Sequence, residues 1–363
     1  MLDALLRYLY APCFGFGLIA LAIVLVGDWH LGLWCLAFLL LLAIGLSALV
    51  EAQVPYQPEW NQPRRDAWRD RIHAVINETL NSLGVLSIPL LATLLPVHDL
   101  WPHAWPFWLQ VLMAIIVADL GITLMHWLSH RSAWLWRLHA VHHSVRRMYG
   151  LNGLMKHPLH LGLEALAGTL PLIVLGMPVD IAGVLAFAIG VQLLLQHSNV
   201  DMRIGPLRYL FAWAPVHRFH HLRYGRAGDV NFALFFSVWD RLLGTAFHAD
   251  YQVASDDLGI GSQPDYPDDY LAQLAEPFVA RAEHVAAPFC RAVCAAQSTS
   301  CGCRLCNARA WMPNMLRTVR EKCAESAKFA AWAASVRLLP RSTMASARRR
   351  RRQSTKRRME RPT

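Results

Sequence analysis

Charge is scarce in this chain. Of its 363 residues 17% are charged and 55% hydrophobic, whereas soluble globular proteins carry about a quarter charged residues. With a mean hydropathy of +0.28, this balance argues against a cytosolic enzyme and for a membrane protein. Basic excess is also missing from most of the chain. Residues 1–280 hold 16 Lys and Arg against 21 Asp and Glu, a net −5, while residues 281–363 hold 19 against 4, a net +15. The pI near 9.5 therefore belongs to the tail, and a nucleic-acid-binding body is excluded. Cysteine follows the same division, with only Cys13 and Cys35 before residue 280 and six in the tail. No disulfide framework can hold the main domain together. The start, MLDALLRYLYAPCFGFG, lacks a distinct basic region and a small-residue cleavage site, which predicts a retained membrane anchor. There is no internal repeat, no GxGxxG nucleotide fingerprint and no haem-attachment motif.

What is present is a series of apolar stretches of spanning length or nearly so, at about 9–27, 31–50, 80–97, 106–125, 161–176 and 180–196. A full span needs about 20 residues, so the fifth and sixth are short or partly re-entrant. They pair into three hairpins through the connectors GDWH, VHDLWPHAW and GMPVD, none of which contains Lys or Arg. The opposite ends carry Arg7, Arg64, Arg65, Arg69, Arg71, Arg131, Arg137, Arg146, Arg147, Lys156 and Arg203, which makes that side cytoplasmic. The predicted fold is all-α: a polytopic membrane protein of three helical hairpins, with four to six membrane helices and a cytoplasmic His-rich helical cap. Residues 51–75, with three prolines, read as an interfacial connector, and residues 200–250 as helices packed beneath the membrane domain. Trp127, Trp134 and Trp136 are expected to mark the interface.

Eleven of the 17 histidines fall between residues 126 and 221. His126 and His130 form HWLSH; His139, His142 and His143 form HAVHH; His157 and His160 follow in KHPLH; His197 stands in QHSN; His217, His220 and His221 form HRFHH. On a helix, residues three and four apart share a face with Cβ atoms about 5–6 Å apart, so two imidazoles at that spacing can grip one ion. The adjacent pair of an HxxHH unit can point to two ions. The hairpin 161–196 returns the chain to the side it left, which delivers His197 to the face of the other clusters. So many imidazoles beside a bilayer are costly without a common partner, and eight to ten suit two ions better than one. His30, His73, His98, His103, His248 and His284 read instead as ordinary hydrogen-bonded residues. Imidazole suits Fe, Zn, Cu and Ni alike; no thiolate lies in the cluster and no HExxH supplies the base of a zinc protease.

The run DLGITLMHWLSHRSAWLWRLHAVHHS (119–144), then KHP, QHSNV and VHRFHHLRYGRAGDVNFALFFSVWDRLLGT (216–245), resembles the sterol desaturase or fatty acid hydroxylase superfamily over about 51–250. The resemblance implies an integral-membrane di-iron oxygenase. Its eight-His ligand set maps to His126, His130, His139, His142, His143, His217, His220 and His221, with His197 and His157 matching further family histidines. His160 has no counterpart in the pattern. Asp119 lies two turns before His126 and would orient a ligand imidazole or pair with an arginine. Asn231 and Asp240 would bond ligand histidines or cap a helix.

The expected domains are a membrane hairpin and Pro-rich cytoplasmic connector (1–79), a hydroxylase-like catalytic membrane domain (80–250) and a cytoplasmic tail (251–363), disordered and basic from about 281. The expected activity is O2-dependent hydroxylation or desaturation of a sterol, fatty acyl or related lipid at two irons. A separate ferredoxin, cytochrome or reductase would supply electrons. The cytoplasmic His face would lie at the inner membrane of a bacterium or the endoplasmic reticulum of a eukaryote. An alternative within catalysis is an alkylglycerol monooxygenase that cleaves ether lipids; one from another class is a non-catalytic metal-binding membrane protein or metal carrier. In the tail, an isolated helix near 308–338, a zinc site at CGCRLC (301–306) and lipid contact by the Arg run 348–352 are weaker expectations than a solvated, unstructured end.

Overall fold

The structure, a computed structural model, describes residues 2–95, 99–223 and 228–279. These fall in one compact unit, Met1–Phe289, and the readings made for the tail beyond it lie outside the described residues. Among the described residues six helices are long and apolar enough to cross a membrane: α1 (Leu2–Asp28), α2 (Trp34–Gln53), α3 (Ala67–Leu94), α4 (Phe107–Ser129), α6 (Pro158–Leu175) and α7 (Val179–His197). Between α4 and α6 the shorter α5 (Ala133–His143) leads into a 3-10 turn at Gly150–Leu154. After α7 come α8 (Ala214–His217), α9 (Val238–Leu243) and α10 (Tyr270–Ala275). The described residues contain no strand, only three isolated bridges such as Pro55 with Val200. The chain is thus a multi-pass, all-helical membrane protein.

Burial ranks the helices. In α7 78% of the apolar window is buried, against 17% in α3, so α7 is the central post and α3 turns Leu83, Leu86, Leu90 and Leu94 outward to lipid. Apolar residues all round α7 are what a fully enclosed helix needs. Helices α4 and α6 cross closely because Gly121 faces the Ala167 backbone: a Cβ there would lie 2.1 Å from the Ala167 carbonyl oxygen. Small residues at such a crossing permit the backbone approach that lipid-embedded helices rely on.

The hairpins place alternate helix ends together. At one end Leu100 N–H donates to the Leu175 carbonyl. At the other, Tyr56 N–H donates to Asn199 O (2.6 Å) and Asp201 N–H to Val54 O (2.9 Å), while Arg7 pairs with Asp201. This second end receives the C-termini of α2, α4 and α7, and it carries α5 and the cap.

Two local readings change. The third span begins at Ala67, inside what reads as an interfacial connector, because Asp70, His73 and Asn77 bury a polar stripe against the 147–156 loop. Asp70 accepts from the Tyr149 hydroxyl (2.8 Å) and Asn152 (3.0 Å), and Asn77 donates to Leu154 O (2.9 Å) and Lys156 O (3.0 Å). The described residues between 200 and 250 are mostly irregular backbone with short helices, since side chains such as Asp119 and Asp240 satisfy their amides in place of a helical ladder.

Candidate metal centre

Each histidine reaches the centre from a defined local structure. His126 sits in the last turn of α4 and His130 caps its end. Ser132 accepts from Leu135 N–H and starts α5, whose last five residues carry His139, His142 and His143. His197 is the last residue of α7, and His217 ends α8 just before His220 and His221. The side chains gather into two groups. His126, His130, His139, His143 and His220 form one, and His142, His197, His217 and His221 the other, with one ring nitrogen from each within 4.8 Å of its companions. Each HxxHH unit is divided between the groups. The rings of His143 and His221, one from each group, stack at 4.7 Å, so the groups adjoin.

Hydrogen bonding fixes how the rings are presented. His126 Nδ1 bonds to Phe232 O (2.8 Å), His220 Nδ1 to Val230 O (2.9 Å), His142 Nδ1 to Met155 O (3.0 Å) and His197 Nδ1 to Leu193 O (3.0 Å). A carbonyl only accepts, so Nδ1 carries the proton and, in the neutral ring, Nε2 is a bare lone pair. Yet Nε2 of His126 and of His220 lie 2.8 Å apart, and Nε2 of His142 and of His197 3.1 Å apart. Facing lone pairs at that distance repel. A cation between them reverses the sign, and two nitrogens at ~2.1 Å from one ion and at right angles stand ~3.0 Å apart. Each group contains one such pair, so the donor set fits metal ions.

Electrostatics agree. Burial first, and then neighbouring imidazoles, hold His139, His142, His143, His217, His220 and His221 well below the ordinary imidazole range. They are neutral, the form that ligates. His130 is lowered by burial, opposed by Asp229, whose carboxylate lies 3.0 Å from its Nδ1.

The supporting shell differs from the sequence reading. Among the described residues Asp119 neither touches an imidazole nor meets an arginine. Its carboxylate accepts from Leu234 N (3.2 Å), Phe235 N (2.9 Å), Phe236 N (2.9 Å) and Trp239 Nε1 (2.8 Å). Asp240 accepts from Phe232 N and Ala233 N. Both clamp the loop whose Phe232 carbonyl aims His126. Asn231, at φ 54°, donates to Val216 O (2.8 Å) and Phe247 O (2.9 Å), locking the loop to α8 and to the segment that follows α9. Gln192 and Gln196 grip the same loop from α7, donating to Leu234 O and Ala233 O; Asp229 stands alone in the sequence, and the i, i+4 glutamines carry no ligand chemistry that would mark them. Gly153 is required by space: a Cβ there would lie 2.2 Å from Leu193 O and 3.0 Å from His197 Nδ1.

His157 is brought to neither group. As the residue capping α6, its Nδ1 accepts from Leu159 N–H (3.1 Å) and its Nε2 faces Leu274 O (3.3 Å). His160, one turn on, points inward instead, its ring 4.6 Å from that of His139. His139, His160 and Glu164 form a third close set, but Lys156 is ion-paired with Glu164. A narrow cavity lies among His126, His139, His142 and His217, and Lys156 and Glu164 share its wall. Of the three tryptophans, Trp134 is exposed, Trp127 lies under the Arg131 guanidinium, and Trp136 packs on the rings of His130 (5.0 Å) and His143 (5.3 Å).

Fold and site together define a multi-pass membrane protein with two buried imidazole groups at one end of its bundle. The family model described as fatty acid hydroxylase matches residues 111–245. The chain is 34% identical over 263 residues to ornithine lipid hydroxylase OlsE of Rhizobium tropici, covering 69% of this chain and 77% of that one. It is 31% identical over 148 residues to alkylglycerol monooxygenase of Danio rerio (40% of this chain, 31% of the relative) and 29% identical over 154 residues to methylsterol monooxygenase 1 of Rattus norvegicus (40% and 50%). It thus spans about three quarters of the first relative and half or less of the other two. No solved structure gives a significant match. The chain belongs to the fatty acid hydroxylase family, and is an oxidoreductase of the O2-dependent lipid hydroxylase and monooxygenase type.

Proposed function

We propose that this protein hydroxylates a C–H bond of a membrane lipid at two irons, and that its substrate is an ornithine-containing lipid like that named for its relative. One iron is held by His126, His130, His139, His143 and His220, the other by His142, His197, His217 and His221. His157 is a helix cap in this reading, and Asp119, Asn231 and Asp240 act on the ligands through the 230–236 loop. The observation that carries it is the pair of facing Nε2 lone pairs in each group, 2.8 and 3.1 Å apart, in a family of iron-dependent oxygenases. An all-imidazole set, without thiolate, suits a redox-active first-row ion.

The bound irons would supply reductive activation of O2, with one oxygen atom entering the substrate, the other leaving as water, and two electrons and two protons consumed. The chain's own residues do the rest. Backbone carbonyls hold four imidazoles in the Nδ1–H form, and burial of the imidazoles around a narrow cavity keeps bulk water from the centre. A lipid reaches that cavity laterally from the bilayer. Electrons come from a separate ferredoxin, cytochrome or reductase. The arginine-rich end that bears the site faces the cytoplasm, by the asymmetry of the connectors. Purified protein should contain two irons per chain and, with a reductant, add one oxygen atom to an ornithine lipid as read by mass spectrometry. Oxidation of alkylglycerol alone would support ether cleavage instead, and tightly held zinc without O2 uptake would support a metal-binding protein.

A further inference from the structure

We infer that Lys156 and Glu164 form a recognition pair for a zwitterionic head group, one that sets which carbon meets the metal centre. The inference rests on the lipid-hydroxylase reading and goes further, to how the substrate is chosen. Lys156 is 6% and Glu164 4% exposed, and they are ion-paired. They line the same narrow cavity as the imidazoles, with Ile122, Leu193, Phe232 and Leu234 also on its wall.

The pair has unused capacity. Among the described residues the Lys156 ammonium donates to Glu164 alone, although it has three N–H groups. Glu164 Oε1 lies 3.7 Å from His160 Nδ1, beyond hydrogen-bond length, and that buried Nδ1 has no partner among the described residues. A buried ion pair is seldom better for stability than two apolar side chains of the same size. A hydrocarbon chain laid against it would leave the remaining donors and acceptors unmet. A ligand carrying its own carboxylate and ammonium would fill them, its carboxylate on Lys156 and its ammonium on Glu164. The oxidised carbon is then one close to those charges, and the acyl chains lie away from the imidazoles. Depth agrees, since Lys156 precedes α6 and Glu164 is in its second turn, at the end of the bundle that bears the cap.

The test uses full-length protein in lipid nanodiscs with a synthetic Nα-acyl ornithine, its methyl ester, its Nδ-acetyl derivative and a neutral alkylglycerol. Binding is read by native mass spectrometry and turnover by product mass, with iron content measured on each sample. In the wild type, blocking either charge should weaken binding and kcat/KM about 10- to 100-fold, the range for charge-assisted hydrogen bonds. Lys156→Gln should abolish the penalty on the methyl ester alone, and Glu164→Gln the penalty on the acetylated amine alone, both with iron retained. Equal handling of free and blocked lipids by the wild type would overturn the inference, and that arm needs no variant to fold. So would equal losses on every lipid in both variants, which is what a purely structural ion pair gives. Charge-selective binding without any oxidation would leave the recognition pair standing and sink the hydroxylase reading.

Discussion

Asp119→Ala is the sharpest probe of how the centre is held. Asp119 is fully buried in α4, and its carboxylate accepts four N–H groups at 2.8–3.2 Å, three of them from the backbone of residues 234–236. Removing it strands three amides and an indole N–H, two of the four in buried positions. At about 1–3 kcal/mol for each buried unsatisfied group, and with relaxation recovering part, the loss should be about 5 kcal/mol, comparable to the whole stability of many domains. The damage is directional. The freed loop carries the Phe232 carbonyl that sets the proton of His126, so iron held by the five-histidine group should fall before iron held by the other. Asp119→Asn keeps one accepting oxygen but turns an NH2 toward N–H donors, so about half the loss should remain. The assay is thermal unfolding in detergent with iron per chain by plasma mass spectrometry. An Asp119→Ala protein that unfolds within a degree or two of the wild type and keeps two irons would refute the clamp.

Other expectations follow from the same geometry. His142→Ala removes a ligand whose Nε2 faces that of His197 at 3.1 Å; iron should drop toward one per chain and lipid oxidation at least 100-fold, and unchanged product formation would exclude His142 from the site. The six histidines of the cap that burial keeps neutral gain protons only on unfolding, so stability is full above about pH 6.5 and is lost as pH falls below it. At ~1.4 kcal/mol per group and pH unit the slope approaches about 8 kcal/mol per unit, and a flat unfolding profile between pH 7.5 and 5.5 for metal-stripped protein would contradict neutral burial. Truncation after residue 280 should leave metal content and activity intact. Truncation after 250 removes the partners of Gln57, Trp60 and His73, namely Val253 O, Ser255 Oγ and Gln273 Oε1; it should yield no folded protein, and an active 1–250 fragment would show that segment to be dispensable.

The residues that were legible in advance are those whose partners are near in sequence. HxxxH and HxxHH announce shared faces because a helix repeats every 3.6 residues, and apolar runs announce spans because lipid demands about 20 residues. The start of α3 at Ala67 was hidden for the opposite reason: Asp70 and Asn77 look solvated until the 147–156 loop, about 80 positions away, supplies their partners. His157 and His160 show the limit most clearly. KHPLH offers both at helical spacing with equal chemistry, and only the cap at the start of α6 decides which ring turns in. Pro158 takes the first helical position and His157 caps with its own Nδ1, which turns that ring out of the site.

The clamp on the 230–236 loop follows the same logic at longer range. Asp119, Gln192 and Gln196 lie in two spans, at positions where a polar side chain is costly, and each is silent about its partner until the cap folds over them. Their targets are backbone amides and carbonyls, which carry no sequence signature at all. In α4 the carboxylate of Asp119 thus marks the place where a loop docks, and not a ligand or a counter-ion. In this chain the docked loop is the one that aims His126 and His220. The polar residues of the spans thus shape the metal centre at one remove, by holding the loop whose carbonyls decide which nitrogen of His126 and of His220 is left bare.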